Sequence, residues 1–252
     1  MHPFRHVATL TALILVIAAF ASPAAFAEDR KETPPAQQTP GWYVGGSAGA
    51  VFPGGLSNQP FTVSNGSAVV TSNRGYSLGT GLSLGLQGGY QFNRARVEGE
   101  FLYQTGSRNS TPVTVSSPAS APVTISAGGS GINSYSLFVN GYYDIPTSSR
   151  FSPYVGAGVG VSWLDASTMS ASTFNYRAPG LNRSVFAYQG KLGVSYKLAD
   201  HASAFFQYRY LGTAGFNYGG ATVRIGSQAY SVAPASGSLS NHALELGLRW
   251  RL

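Results

Sequence analysis

The chain contains no cysteine, and only 10% of its 252 residues carry a charge. Without cysteine there is no disulfide framework and no cysteine-linked lipid anchor. The charged fraction is far below the ~25% of soluble domains. Histidine is scarce: of four, His2 and His6 fall in the first residues, leaving His201 and His242. No His or carboxylate cluster has ligand spacing, so neither a metal centre nor a cofactor is expected. No apolar run beyond the first residues approaches the ~20 needed for a spanning helix. Acidic residues number 9 against 16 basic, giving a net charge of +7. A basic chain can bind nucleic acid, but no basic helix or RNA-binding motif is present, so no nucleic-acid partner is expected.

What is abundant is glycine (32 residues), tyrosine (15) and phenylalanine (14). That mixture suits a barrel that shows aromatics to lipid and fills a narrow lumen with small and polar groups. The N-terminus carries Arg5 without an acidic group, an apolar core from Leu10 to Phe20, and the small-residue pattern Ala25-Phe26-Ala27. Residues 1–27 are thus read as a cleaved secretory signal peptide. An uncleaved anchor is the alternative, against which the apolar core is short. Residues 28–40 are polar, hold three prolines and read as a periplasmic linker. Residues 41–252 form the remaining domain.

The terminal stretch carries most information. Leu244, Leu246, Leu248, Trp250 and Leu252 alternate with Glu245, Gly247, Arg249 and Arg251. Successive strand side chains point to opposite faces, so one face is apolar and the other charged. Seven more segments alternate similarly: Trp42 to Phe52, Gly81 to Phe92, Arg96 to Thr105, Tyr135 to Ile145, Pro153 to Trp163, Phe186 to Leu198 and Ala202 to Leu211. Each approaches the ~9–11 residues of a tilted membrane strand. Connections alternate between short (93–95, 146–150, 199–201) and long (53–80, 106–134, 164–185, 212–240). The pattern predicts an all-β, eight-stranded antiparallel up-and-down transmembrane barrel, with short periplasmic turns, long extracellular loops and periplasmic termini. A soluble barrel would bury its apolar face in the lumen, whereas the lumen candidates here are Gly, Ser, Gln, Glu and Arg.

These segments carry a resemblance. Gly41-Trp42-Tyr43-Val44-Gly45-Gly46, Asn140-Gly141-Tyr142-Tyr143-Asp144, Pro153 to Gly160, Phe186-Ala187-Tyr188-Gln189-Gly190 and Leu246 to Arg251 resemble the small eight-stranded outer-membrane barrels, especially the opacity-like surface antigens. The resemblance implies a bacterial outer-membrane location and a surface-antigen, adhesin-like or envelope-integrity role. It also implies insertion by the barrel-assembly machinery, which reads a terminal signal, here Leu248, Trp250 and Leu252. Such proteins usually end in an aromatic residue; this chain ends in Leu252. The peptidoglycan-binding domain of some relatives is not expected.

The inward positions hold Glu98 and Glu100, Lys191, Arg209, and Glu245 and Arg249. In a ring of eight, the third strand faces the seventh, so acids and bases meet across the lumen. Buried charge is costly unless paired, which predicts a salt-bridged plug; a solvated pore lining is the alternative. Inward Gly85, Gly89, Gly156, Gly158 and Gly160 would leave room for long side chains. The carboxylates Glu98 and Glu100 share a face, but nothing indicates substrate access.

Three of the four long loops contain patterned hairpins. Phe61 to Ser64 and Ala68 to Thr71 flank Asn65-Gly66, a two-residue turn signal. Pro112-Val113-Thr114-Val115-Ser116 recurs as Pro122-Val123-Thr124-Ile125-Ser126, and Thr222 to Ile225 precedes Gly226-Ser227 and Gln228 to Ser231. The sheet is expected to extend beyond the membrane; mobile Ser/Thr-rich loops are the alternative. The long loops hold Arg74, Arg108, Arg177, Arg183 and Arg224 against Asp165. That surplus favours anionic partners: lipopolysaccharide phosphates, or a host or other surface ligand. Arg177 and Arg183 sit in the shortest loop and are expected nearest the membrane. Ser240 and His242 share a face near the rim, but an acyl-transfer site also needs an oriented base and an oxyanion hole. The chain is read as a non-enzymatic, monomeric barrel; a small channel for ions or apolar solutes and a lipid-modifying enzyme are the alternatives.

Overall fold

The structure is a computed structural model that describes residues 40–56, 61–64, 69–72, 78–108, 111–117, 120–129, 131–166, 169–171, 176–178, 180–218, 222–225, 228–232 and 235–252. The expected signal peptide and most of the linker lie outside the described residues. In chain order the strands are β1 (Gly41–Leu56), β2 (Phe61–Ser64), β3 (Val69–Ser72), β4 (Leu78–Gln91), β5 (Ala95–Arg108), β6 (Thr111–Ser117), β7 (Ser120–Gly129), β8 (Ile132–Asp144) and β9 (Phe151–Ala166). They continue as β10 (Met169–Ala171), β11 (Tyr176–Ala178), β12 (Leu181–Lys197), β13 (Ala202–Thr213), β14 (Phe216–Tyr218), β15 (Thr222–Ile225), β16 (Gln228–Val232), β17 (Ala235–Gly237) and β18 (Leu239–Arg251).

Eight long strands close into one barrel in the order β1-β18-β13-β12-β9-β8-β5-β4. All pairings are antiparallel, and β18 closes the ring on β1 through Val44↔Trp250, Ala48↔Leu246 and their neighbours. The alternation sorts the faces. Trp42, Val44, Leu84, Leu86, Val97, Leu137, Val139, Val159, Phe186, Leu246, Leu248 and Trp250 are exposed on the outside. The residues that alternate with them, among them Tyr43, Gln87, Glu98, Asn140, Gln189 and Glu245, are buried. An exposed apolar band around a polar interior is what a bilayer requires of a closed sheet.

The short connections hold tight turns. Asn93 takes a φ of 126°, in the positive region that Asn tolerates better than most residues. Beside the third turn, Lys197 Nζ lies 2.9 Å from Asp200 Oδ1. The ammonium holds this exposed carboxyl below its ordinary range.

The long connections differ from the expectation in two ways. All four, not three, carry strands, because residues 169–178 add the short hairpin β10–β11. These pieces then close a second ring, β10-β11-β15-β16-β2-β3-β6-β7. The repeated segments pair as Val113↔Ile125, Thr114↔Thr124 and Val115↔Val123. Ile225↔Gln228 leaves Gly226-Ser227 between its strands, as a two-residue turn requires. Ser64↔Val69 leaves four residues between β2 and β3, two more than the Asn65-Gly66 signal implied. β14 and β17 pair with each other as a separate two-stranded sheet, and Phe216 of β14 packs on Leu164 of β9 and Val185 of β12.

Candidate functional site

Strand alternation projects eight sets of side chains into the first barrel, and charge gathers at its middle. Arg209 on β13 places Nη2 2.7 Å from Glu100 Oε1 and 2.8 Å from Glu245 Oε2. Lys191 Nζ lies 2.8 Å from Glu100 Oε2 and 3.9 Å from Glu98 Oε1. Neutral donors complete the network. Gln189 Nε2 donates to Glu100 Oε2 at 2.8 Å, Asn140 Nδ2 to Glu100 at 3.0 Å, and Ser83 Oγ to Glu245 Oε1 at 2.6 Å. The Tyr142 and Tyr43 hydroxyls donate to Glu98 at 2.6 and 3.0 Å. Every carboxylate in this group therefore accepts several bonds, the condition under which buried charge is tolerated.

Of the six lumen residues predicted, five meet in this network and Arg249 does not. Its guanidinium carbon lies 5.1 Å from the Tyr43 ring centroid and 5.2 Å from that of Phe205. Its hydrogen-bond partner is Ser195 Oγ, at 3.5 Å. The reason is position. Arg249 is registered opposite Ser203, six residue pairs nearer the short turns than Arg209, at the level of the aromatic side chains.

Sequence reasoning missed a second buried pair at that end. Arg96 Nε lies 3.1 Å from Asp144 Oδ2, which also accepts from Gln91 Nε2 at 2.9 Å. The Arg96 guanidinium stacks on Tyr142 and Tyr154, 4.4 and 4.8 Å from their centroids. The signal was available, since Arg96 is in phase with Glu98, and Asp144 with Asn140 and Tyr142.

The lumen is also less polar than predicted. Leu102, Phe138, Ala187 and Leu211 cluster on the long-loop side of the ionic network. Beyond them Leu164, Val185 and Phe216 form another buried group against Leu239. Tyr142, Tyr154 and Phe205 cluster towards the short turns. Inward apolar residues were masked in the sequence by their polar neighbours. The inward glycines receive large side chains: a Cβ at Gly156 would strike the Tyr142 ring, and one at Gly158 the Asn140 amide.

The predicted anion contacts are scattered. Arg74 lies outside the described residues. Arg108 stands at the end of β5, opposite Leu78. Arg183 is exposed on β12. Arg177 is not beside it near the first barrel, because β10–β11 carries Arg177 into the second ring, where it pairs with Arg224.

At the rim, the Tyr208 hydroxyl lies 2.6 Å from His242 Nδ1, while Ser240 bonds Tyr210. The residue pair weighed for acyl transfer is thus engaged by two tyrosines. Among the described residues no group of three His, Asp or Glu could hold a metal ion.

Comparison with known proteins places this architecture. The outer-membrane protein OprG from Pseudomonas aeruginosa is similar in fold, with a TM-score of 0.53 and 17% identity over 84% of this chain and 97% of that one. Neisserial surface protein A aligns with a TM-score of 0.47 and 16% identity over 85% of this chain and 99% of that one. Uncharacterized proteins of Brucella abortus and Brucella melitensis are 29% identical over 156 residues, 56% of this chain. The chain spans about half the length of these curated relatives, 55%. The model of the outer membrane protein beta-barrel domain matches residues 11–251, and the chain belongs to that family.

Proposed function

We propose that this chain is a non-enzymatic, non-conducting outer-membrane barrel whose long loops form a surface-exposed binding ring. The observation that carries the reading is the coexistence of two closed rings. One has a lumen crossed by an ionic network and filled on either side by apolar side chains. The other is built wholly from the long connections. Wide aqueous lumens belong to barrels of about twice as many strands. Export by residues 1–27, assembly through Leu248, Trp250 and Leu252, and short turns and termini on the periplasmic side complete the reading. The ring then faces outward in an adhesin-like or surface-antigen role, as a monomer. Arg74, Arg108, Arg177, Arg183 and Arg224 favour lipopolysaccharide or another anionic surface ligand, held more weakly as salt rises.

Two measurements test this. In planar bilayers the wild type should give no large steady conductance; such a conductance would favour a small channel instead. On cells, replacing the four long loops by short turns should abolish surface binding and lipopolysaccharide retention while leaving the barrel inserted. Undiminished binding by the truncated barrel would overturn the reading.

A further inference from the structure

Two guanidinium groups share the aromatic layer at the short-turn end of the lumen. Arg96 lies against the Tyr142 and Tyr154 rings, and Arg249 against those of Tyr43 and Phe205. Tyr142, Tyr154 and Phe205 form one packed cluster, so both cations are held at one level. They are close enough to act on each other electrostatically, and Tyr43 and Tyr154 each feel both charges. Ring faces attract a cation and cover the flat sides of a guanidinium. Its N–H groups lie in its plane and must find acceptors of their own.

Acceptors are scarce here. Arg96 is fully buried and donates Nε to Asp144 Oδ2 at 3.1 Å. Its buried Nη1 and Nη2 have no hydrogen-bond partner among the described residues. Arg249 donates Nη1 to Ser195 Oγ at 3.5 Å, a long contact, and its buried Nε has no partner among the described residues. Glu98, the other carboxylate that acts on Arg249, already accepts from Tyr43, Tyr142 and Asn140 and lies 3.9 Å from Lys191. The two cations therefore have one ion-paired carboxylate between them, Asp144. A buried donor left unmade costs more when it is charged, and buried charge calls for a counter-charge. Such groups in a folded protein point to a bound water or ion, and the excess of positive charge selects an anion.

We propose that Arg96 and Arg249 hold a small inorganic anion at the short-turn end of the lumen. Arg96 Nη1 and Nη2 form the paired edge of the guanidinium, which suits charge-assisted bonds to an anion. Arg249 Nε adds a donor from the opposite cation and gives it a counter-charge. Entry is from the short-turn side, where Arg249 is only half-buried and Arg251 follows on the same face. The site opens no channel, because the ionic network and the Leu102 cluster close the lumen beyond it. It is independent of the reading of the long loops as a binding surface.

The test uses the full chain folded in detergent micelles, with arginine side-chain NMR signals followed during titration. One arm adds chloride and the other inorganic phosphate, at an ionic strength held constant with gluconate. The expected result is a saturable shift of the Arg96 and Arg249 signals in at least one arm, with the exposed Arg94 and Arg150 unmoved. Saturation by chloride alone identifies a site for a spherical ion, and saturation by phosphate an oxyanion site; either supports the proposal. Arg249→Gln should weaken binding by about tenfold or more, Arg249→Lys should keep part of it, and Arg150→Gln should change it by less than about twofold. A heat-modifiable gel shift confirms that each variant keeps its barrel, and the wild-type titration decides alone if Arg249→Gln fails to insert. Absence of a saturable shift in both arms overturns the site and leaves water as the partner of these donors. Equal shifts at Arg94 and Arg150, or undiminished binding in Arg249→Gln, overturn it as a diffuse charge effect.

Discussion

Arg209 and Glu100 stand on opposite staves of the barrel, 109 residues apart in sequence, with Nη2 2.7 Å from Oε1. The same guanidinium also reaches Glu245 on the adjacent strand β18. One side chain thus ties both walls of the lumen. Both partners of the cross-lumen pair are fully buried. The tie is strong only while each charge keeps its partner.

Removing Glu100 should therefore matter. Glu100→Ala leaves Lys191 with Glu98 at 3.9 Å and Arg209 with Glu245 alone. Breaking a buried pair costs about 3–5 kcal/mol, an upper range where water enters. The expected outcome is a clear loss of unfolding stability in micelles without loss of insertion, larger still in Glu98→Ala/Glu100→Ala. Asp200→Asn provides the contrast, because its pair with Lys197 is exposed and screened. Its lowered folded pKa gives stability that is present above the unfolded value and fades as pH falls. At neutral pH its loss should be barely measurable. Equal effects for Glu100 and Asp200 would show that burial does not govern these pairs.

Two glycines offer a packing test. At Gly156 a Cβ would meet the Tyr142 ring, which donates its hydroxyl to Glu98. At Gly141, on the outer face, a Cβ would meet nothing within 4 Å. Overpacking a filled interior costs about 1–3 kcal/mol. Gly156→Val is expected to destabilise by that order, and Gly141→Val to be close to neutral. Denaturant unfolding followed by tryptophan fluorescence separates them, and matching midpoints would contradict the packing described.

The membrane strands could be read from sequence because their information is local. Leu244 to Leu252 alternate without a break, and each neighbour in the sheet is joined to the next by one connection. The position of Glu100 opposite Arg209 then followed from counting staves. Arg96 and Asp144 escaped because they lie where strands meet turns, and charge there looks solvated. Arg249 was given a carboxylate because alternation fixes its face but not its height along the lumen. The second ring was hidden for another reason. Its hairpins are local, but the pairings β3–β6, β7–β10, β11–β15 and β16–β2 join different loops. No periodicity within one loop predicts which edge of another it meets.

Strand β18 tests the lipid-facing assignment. Leu246 and Leu248 are exposed outside, while Arg249 stacks within on Tyr43 and Phe205. Arginine on the lipid face costs about 2–4 kcal/mol at the bilayer midplane and less towards the interface. Leu246→Arg should impair insertion most, Leu248→Arg less, and Arg249→Leu least. The fraction showing a heat-modifiable gel shift measures this order. Equal shifts for Leu248→Arg and Arg249→Leu would reverse the assignment of the two faces.

The last prediction concerns the independence of the two rings. Every pairing of the membrane barrel is made among its own eight strands, so the second ring is not needed to close it. Loop-closure entropy grows slowly with length, and shorter connections cost no more than long ones unless they are strained. Replacing the β2–β3, β6–β7 and β10–β11 hairpins by short turns should leave insertion and unfolding stability close to wild type. The fourth loop differs, because Phe216 packs on Leu164 and Val185 and helps fill the lumen near Leu239. A replacement that keeps β14 and β17 but removes β15–β16 should be tolerated. One that removes residues 216–237 entirely exposes the apolar layer and should lower stability by the order of a large-to-small core change, about 3–5 kcal/mol for a lost Phe side chain. Phe216→Ala alone should reproduce most of that loss. If the first three replacements prevent insertion, the rings fold as one unit and the division between them is wrong.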